Sequence, residues 1–182
     1  MRSLFSLIFN TVFGSYHILL GMITHSWWLF TVGIYYAILS AVRFTALRIK
    51  KKDSFLTKFV GIMLILLSLT LVGTVILAVI RDRGIVMHEI VMIAMAAYAF
   101  TKITVAIINL IKSRKNASAK IAILRNISFA DACVSIFTLQ RSMLVSFGNM
   151  SESHIRIFNA ILGSAVCAVI FYLGLHLLQN KK

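Results

Sequence analysis

The chain is 182 residues long, 60% hydrophobic and 13% charged, with a mean hydropathy of +0.93. A soluble domain carries about 25% charged residues, so this composition excludes an ordinary soluble enzyme and intrinsic disorder, and two cysteines exclude a disulfide scaffold. The net charge of +14 points to membrane topology and not to nucleic acid, because no basic helix or aromatic platform stands outside the apolar runs.

A helix needs about 20 apolar residues to cross a bilayer's hydrocarbon core, and six stretches meet that need. The first, Leu4–Ile23, carries Ser6, Asn10, Gly14, His17 and Gly21 on one polar stripe. Arg2 and the run Leu4–Phe13 resemble the start of a signal peptide. No small-residue cleavage site follows, and the apolar stretch continues to Ile23, so a retained anchor is expected. The second span, Trp27–Ile49, opens on Trp27 and Trp28, the aromatic-belt position. It then presents Tyr36, Ser40 and Arg43. Arg43 is about two turns from the basic end and is expected to snorkel. The third, Phe59–Ile80, carries no charged residue, and the fourth, Ile90–Ile111, contains Tyr98, Lys102 and Asn109. The fifth, Ile121–Phe147, is the least apolar, with Arg125, Asn126, Asp131, Gln140 and Arg141. Arg125 and Arg141 lie ~24 Å apart along a helix, so each is expected to reach its nearer interface. Ser128, Asp131, Ser135, Thr138, Ser142 and Ser146 fall near one face of that helix. The sixth span, Ile157–Leu178, carries a small-residue row, Ala160, Ser164 and Ala168, read as a helix contact within or between protomers.

The junctions set the orientation. Arg2, then Arg48, Lys50, Lys51, Lys52 and Lys58, then Lys112, Arg114, Lys115 and Lys120, then Lys181 and Lys182 fall on one side. Arg81, Arg83 and Arg156 fall on the other. Positive charge marks the cytoplasmic face, so both termini are expected inside and the number of crossings is even. The basic face also attracts anionic lipid. The spans read as three hairpins with short outer turns. At an offset of 62 residues, Tyr36-Ala37 matches Tyr98-Ala99 and Ile49-Lys50 matches Ile111-Lys112, a pattern compatible with a hairpin repeat. The absence of proline favours continuous helices and removes part of the broken-helix signature of transporters.

Of the five acidic residues, Asp131 alone lies deep in a span. Its insertion costs roughly 2.5 to 3.5 kcal/mol, so it is expected to face the bundle interior and to hold a partner. Lys102 is ~15 Å and Asp131 ~16 Å along their helices from the same basic junction, so the two are expected to pair, or to line one hydrated cavity. Ser135, Thr138, Gln140, Asn10 and His17 complete the candidate solute or ion path. The same small polar residues equally serve as packing and hydrogen-bond positions between membrane helices.

Familiar catalytic patterns are missing. His88-Glu89 has Met92 where a zinc-protease helix needs its second histidine. Cys133 and Cys167 stand in different spans, and no nucleophile elbow, phosphate loop or dinucleotide fingerprint occurs. No catalytic residue, metal or cofactor is assigned, and an enzyme is not expected. The stretches Ala97-to-Lys115, AYAFTKITVAIINLIKSRK, and Phe129-to-Gly148, FADACVSIFTLQRSMLVSFG, resemble a group of uncharacterised six-helix membrane proteins of bacterial type with no assigned activity. That resemblance implies that Lys102, Asp131 and Gln140 belong to a defined site. The size and helix count are also similar to the substrate-binding subunits of vitamin importers, whose binding motifs are missing here. The expectation is an all-α bundle of six transmembrane helices forming one membrane domain over residues 1–182. Its leading function is solute or ion transport or binding through the polar core. The alternative is a non-catalytic membrane partner or assembly factor, as a homo-oligomer or with a second membrane protein.

Overall fold

The computed structural model describes residues 2–48, 53–80, 88–112, 119–147 and 150–179. The basic residues Lys50, Lys51, Lys52, Arg81, Arg83, Arg114, Lys115, Lys181 and Lys182, which carry much of the orientation argument, lie outside them, as do the side chains of Arg2, Ser6 and Lys112. Among the described residues there are six helices and no strand: α1 (Arg2–Ile23), α2 (Trp27–Arg48), α3 (Asp53–Ile80), α4 (Glu89–Lys112), α5 (Ala119–Phe147) and α6 (Glu152–Gln179). Five of them are long and apolar enough to cross a membrane, and α1 adds a shorter apolar stretch, Leu7–Ile23. The chain is a multi-pass membrane bundle.

Several helices outrun the expected spans. Helix α3 begins at Asp53 and α6 at Glu152, about a turn or more before the apolar segments. Hydropathy locates only the hydrocarbon-facing part, whereas backbone hydrogen bonding continues the helix into the polar interface. Glu89 and Glu152 stand in the first turns of α4 and α6, where a carboxylate complements the helix dipole.

The turn between α1 and α2 is tight. His25 takes a left-handed conformation (φ 49°), which reverses the chain in three residues. Ser26 then caps α2: its carbonyl accepts from the Phe30 amide at 3.1 Å and its hydroxyl from the Leu29 amide at 3.5 Å. A Cβ on Gly21 would come within 2.6 Å of the Phe30 amide nitrogen. Only glycine lets the returning backbone lie that close.

Packing divides the bundle into two groups. Helix α3 pairs most extensively with α6, and α1 with α2. Helix α4 lies against α5, while α2 and α5 each touch α3 and each other. Gly61 and Gly174 let α3 and α6 cross closely, since a Cβ on either would stand 3.0 to 3.1 Å from the other's carbonyl oxygen. The expected middle hairpin is corrected: α3 and α4 do not pack along one another. Helix α3 carries no charged residue from Phe59 to Ile80 and packs along α6, where Ser68 donates to the Cys167 carbonyl at 3.1 Å, whereas α4 carries Lys102, which pairs with Asp131 of α5.

The small-residue row on α6 is also corrected as an internal contact. The face that packs is Asn159, Gly163, Val166, Cys167, Ile170, Gly174 and Leu177. A Cβ on Gly163 would meet Val75 at 2.6 Å and Phe137 at 3.1 Å. Ser164 and Ala168 face outward and Ala160 is half-buried. One helical position separates the two rows, a rotation of about 100°, and only the glycine row lets the backbone approach.

Candidate functional site

Asp131 is held at mid-helix in α5, 1% exposed. Its carboxylate accepts three side chains from three other helices. Lys102 of α4 donates to Oδ1 at 2.6 Å. Asn10 of α1 donates through Nδ2 to Oδ2 at 2.7 Å. Arg43 of α2 donates to the same oxygen at 3.4 Å. Helices α1, α2, α4 and α5 therefore converge on one carboxylate, and the apolar pair α3 and α6 supports them from the side. A buried charge needs such partners, because an uncompensated one costs about 3 to 5 kcal/mol.

The surrounding hydrogen bonds orient each member. Ser135 donates its hydroxyl proton to the Asp131 carbonyl, one turn back, at 2.9 Å. Its two lone pairs then accept from Lys102 at 3.1 Å and from Tyr36, whose hydroxyl lies 3.1 Å away. Tyr98 donates to Asn10 Oδ1 at 2.8 Å, which turns the Asn10 amide so that its nitrogen faces Asp131. Arg43 also donates to Ser128 at 3.2 Å. The Lys102 ammonium lies 4.3 Å from the Tyr98 ring centroid and 5.0 Å from that of Tyr36, close enough for cation–π attraction. The two tyrosines that match at the 62-residue offset thus flank the same lysine. Phe9 stacks on Tyr98 at 4.1 Å and closes the gap between α1 and α4.

The other candidates divide. His17 is fully buried on the same face of α1, two turns beyond Asn10. Its Nδ1 donates to the Phe13 carbonyl at 2.9 Å, so Nε2 is left as an acceptor. That atom is buried with no hydrogen-bond partner among the described residues. The His17 ring lies 6.3 Å from that of Tyr36. Thr138 is buried and donates to the Val134 carbonyl at 2.9 Å. It lines the same face of α5 without touching the carboxylate. Gln140 does not join the cluster. Nine positions after Asp131, it sits on the opposite side of α5, in a groove of about 400 Å³ lined by Phe100, Ile103, Ile136, Leu139 and Met143.

Three residues depart from their expected roles. Arg43 does not snorkel: it is 1% exposed and belongs to the cluster. Its depth alone suggested the interface, but a carboxylate within reach outweighs hydration by a distant headgroup layer. Arg141 is likewise buried, donating to the Ala78 carbonyl at 2.8 Å. Its guanidinium lies 4.7 Å from the Trp28 ring centroid. Trp28 is therefore a buried partner, whereas Trp27 remains exposed. Among the described residues, no three His, Cys, Asp or Glu side chains gather as metal ligands.

The arrangement holds three charged side chains largely away from water, beside buried hydroxyls and an imidazole. No protein-family model, no curated protein and no solved structure matches the chain.

Proposed function

We propose that this protein binds a small solute or ion in the polar core built on Asp131 and Lys102 and passes it across a bilayer. The activity is binding and translocation, with no covalent step. One observation carries the reading: Asn10, Arg43, Lys102 and Asp131, drawn from four helices, meet in a single buried network. Single interhelical hydrogen bonds are common packing devices in a bilayer, but three full charges gathered at one buried point go beyond what holding helices together needs. The excess of Lys and Arg at one set of junctions supports an orientation with both termini on the cytoplasmic side, the basic face lying on anionic lipid.

Thiol accessibility tests this. In a chain carrying Cys133→Ala and Cys167→Ala, Ser135→Cys and Thr138→Cys are expected to react with a small water-soluble thiol reagent. If both stay inert while Ser153→Cys, exposed at the start of α6, reacts, the network is a packing device.

A second reading is favoured by the outward placement of Ser164 and Ala168 beside half-buried Ala160. A row of small residues on an unoccupied face suits close approach of another helix. The protein would then act as a membrane partner or assembly factor. A stoichiometric oligomer in mild detergent, lost in Ser164→Leu, supports that role; a monomer argues against it.

A further inference from the structure

We infer that the groove beside Gln140 holds one ester-linked lipid from the leaflet farther from Lys120, and that an ester carbonyl of this lipid accepts from the Gln140 amide nitrogen. The site lies on the face of α5 turned away from Asp131 and does not depend on the proposed function.

Helix α5 sets the depth. Lys120, near its start, donates to the Leu47 carbonyl at 2.9 Å and marks the membrane edge beside the basic junctions. Gln140 follows ~30 Å along the helix, which is the thickness of the hydrocarbon core. It therefore stands where the core meets the interface on the far side. The acyl esters of that leaflet lie at this level and are the first acceptors met on leaving the hydrocarbon. Phe147 lies ~10 Å further on, in the zone where aromatic side chains gather.

Shape and polarity then select the occupant. The α5 residues lining the groove run from Ile136 to Phe147, ~16 Å across that boundary. Spread over this length, a volume of about 400 Å³ gives a mean cross-section of about 25 Å². One extended hydrocarbon chain fits that section, whereas a helix, about 10 Å across, does not enter it. Phe100, Met143 and Phe147 are exposed, so the groove opens on the outer surface of the bundle, which faces lipid. Gln140 is the one polar side chain lining it. Its Oε1 is buried with no hydrogen-bond partner among the described residues. Hydrocarbon offers an amide no partner either, and leaving it unpaired is costly. An ester carbonyl at the same level accepts from the amide nitrogen while its chain lies against Phe100, Ile103, Ile136 and Leu139. No charged side chain lines the groove, so the lipid is recognised by its linkage and not by its headgroup.

Native mass spectrometry of the full chain in mild detergent tests this. The probes are dioleoyl phosphatidylcholine and its ether-linked analogue, which keeps the chains and the headgroup but lacks the carbonyls. One ester lipid should be retained per chain, and the ether lipid should bind roughly fivefold more weakly, the worth of one hydrogen bond. That comparison needs no variant. Gln140→Leu should bind the two lipids alike, and Ile136→Trp, which fills the groove, should retain neither. Equal retention of both lipids by the wild type overturns the inference. So does a preference for the ester that persists in Gln140→Leu, or unchanged retention in Ile136→Trp. A wild-type dimer that becomes a monomer in Ile136→Trp assigns the groove to a second copy of the chain and overturns it as well.

Discussion

Lys102 and Asp131 each sit where the other is the nearest full opposite charge, at 2.6 Å. Removing one therefore exposes the other. Asp131→Asn alone should cost about 3 to 5 kcal/mol, the range for stripping one member from a buried ion pair. Lys102→Met in the same chain should recover most of it. Thermal unfolding in detergent checks this, and strictly additive losses would mean the two residues are not coupled. Arg43 keeps the recovery incomplete, since it too donates to Asp131. Ser135 behaves differently: its hydroxyl is donated once and accepts twice. Ser135→Ala would leave Tyr36 and Lys102 each one acceptor short, at about 1 kcal/mol or more per bond.

Among the elements, α6 decides more than its bland sequence suggests. Its glycine-bearing face meets α3 and its small-residue row faces out, so two similar substitutions should differ sharply. Gly174→Leu drives a side chain into Ile65 and the Gly61 carbonyl, where even a Cβ would stand at 2.7 and 3.0 Å. It should destabilise the bundle by about 1 to 3 kcal/mol, the range for overpacking a close contact. Ala168→Leu should leave a monomer within about 0.5 kcal/mol. Melting curves of the two variants side by side measure the difference; equal losses would place both residues at packed contacts. Helix α4 is the converse case. Ile90, Ile93, Phe100 and Ile111 are exposed on it, and its inner face is tied to α5 through Lys102.

For the molecule as a whole, both termini should lie on the same, cytoplasmic side. An epitope tag at either end should be reached by antibody only after the membrane is permeabilised. A tag accessible from outside at one end alone would make the number of crossings odd. The two-part packing gives the whole a division of labour: an apolar α3–α6 pair braces a polar four-helix group, with α2 and α5 common to both.

How much of this was legible follows from chain distance. Six helices and their membrane-spanning character are written in length and hydropathy, because the bilayer demands the same local property of every span. The Lys102–Asp131 pair was legible too, because one short junction joins their helices and depth can be counted from it. Asn10 and Arg43 stand 121 and 88 residues from Asp131, and no local rule says which helices become neighbours. Counting depth placed Arg43 at the interface, Trp28 in the aromatic belt and Ala160, Ser164 and Ala168 among candidate contacts. Tertiary packing moved Arg43 and Trp28 inward and turned Ser164 and Ala168 outward. The sequence by itself determined that the chain crosses a membrane repeatedly and that a carboxylate lies deep within it. Only the tertiary structure decided which helices surround that carboxylate, because a buried charge is satisfied by whichever donors packing brings within hydrogen-bonding distance, however far apart along the chain.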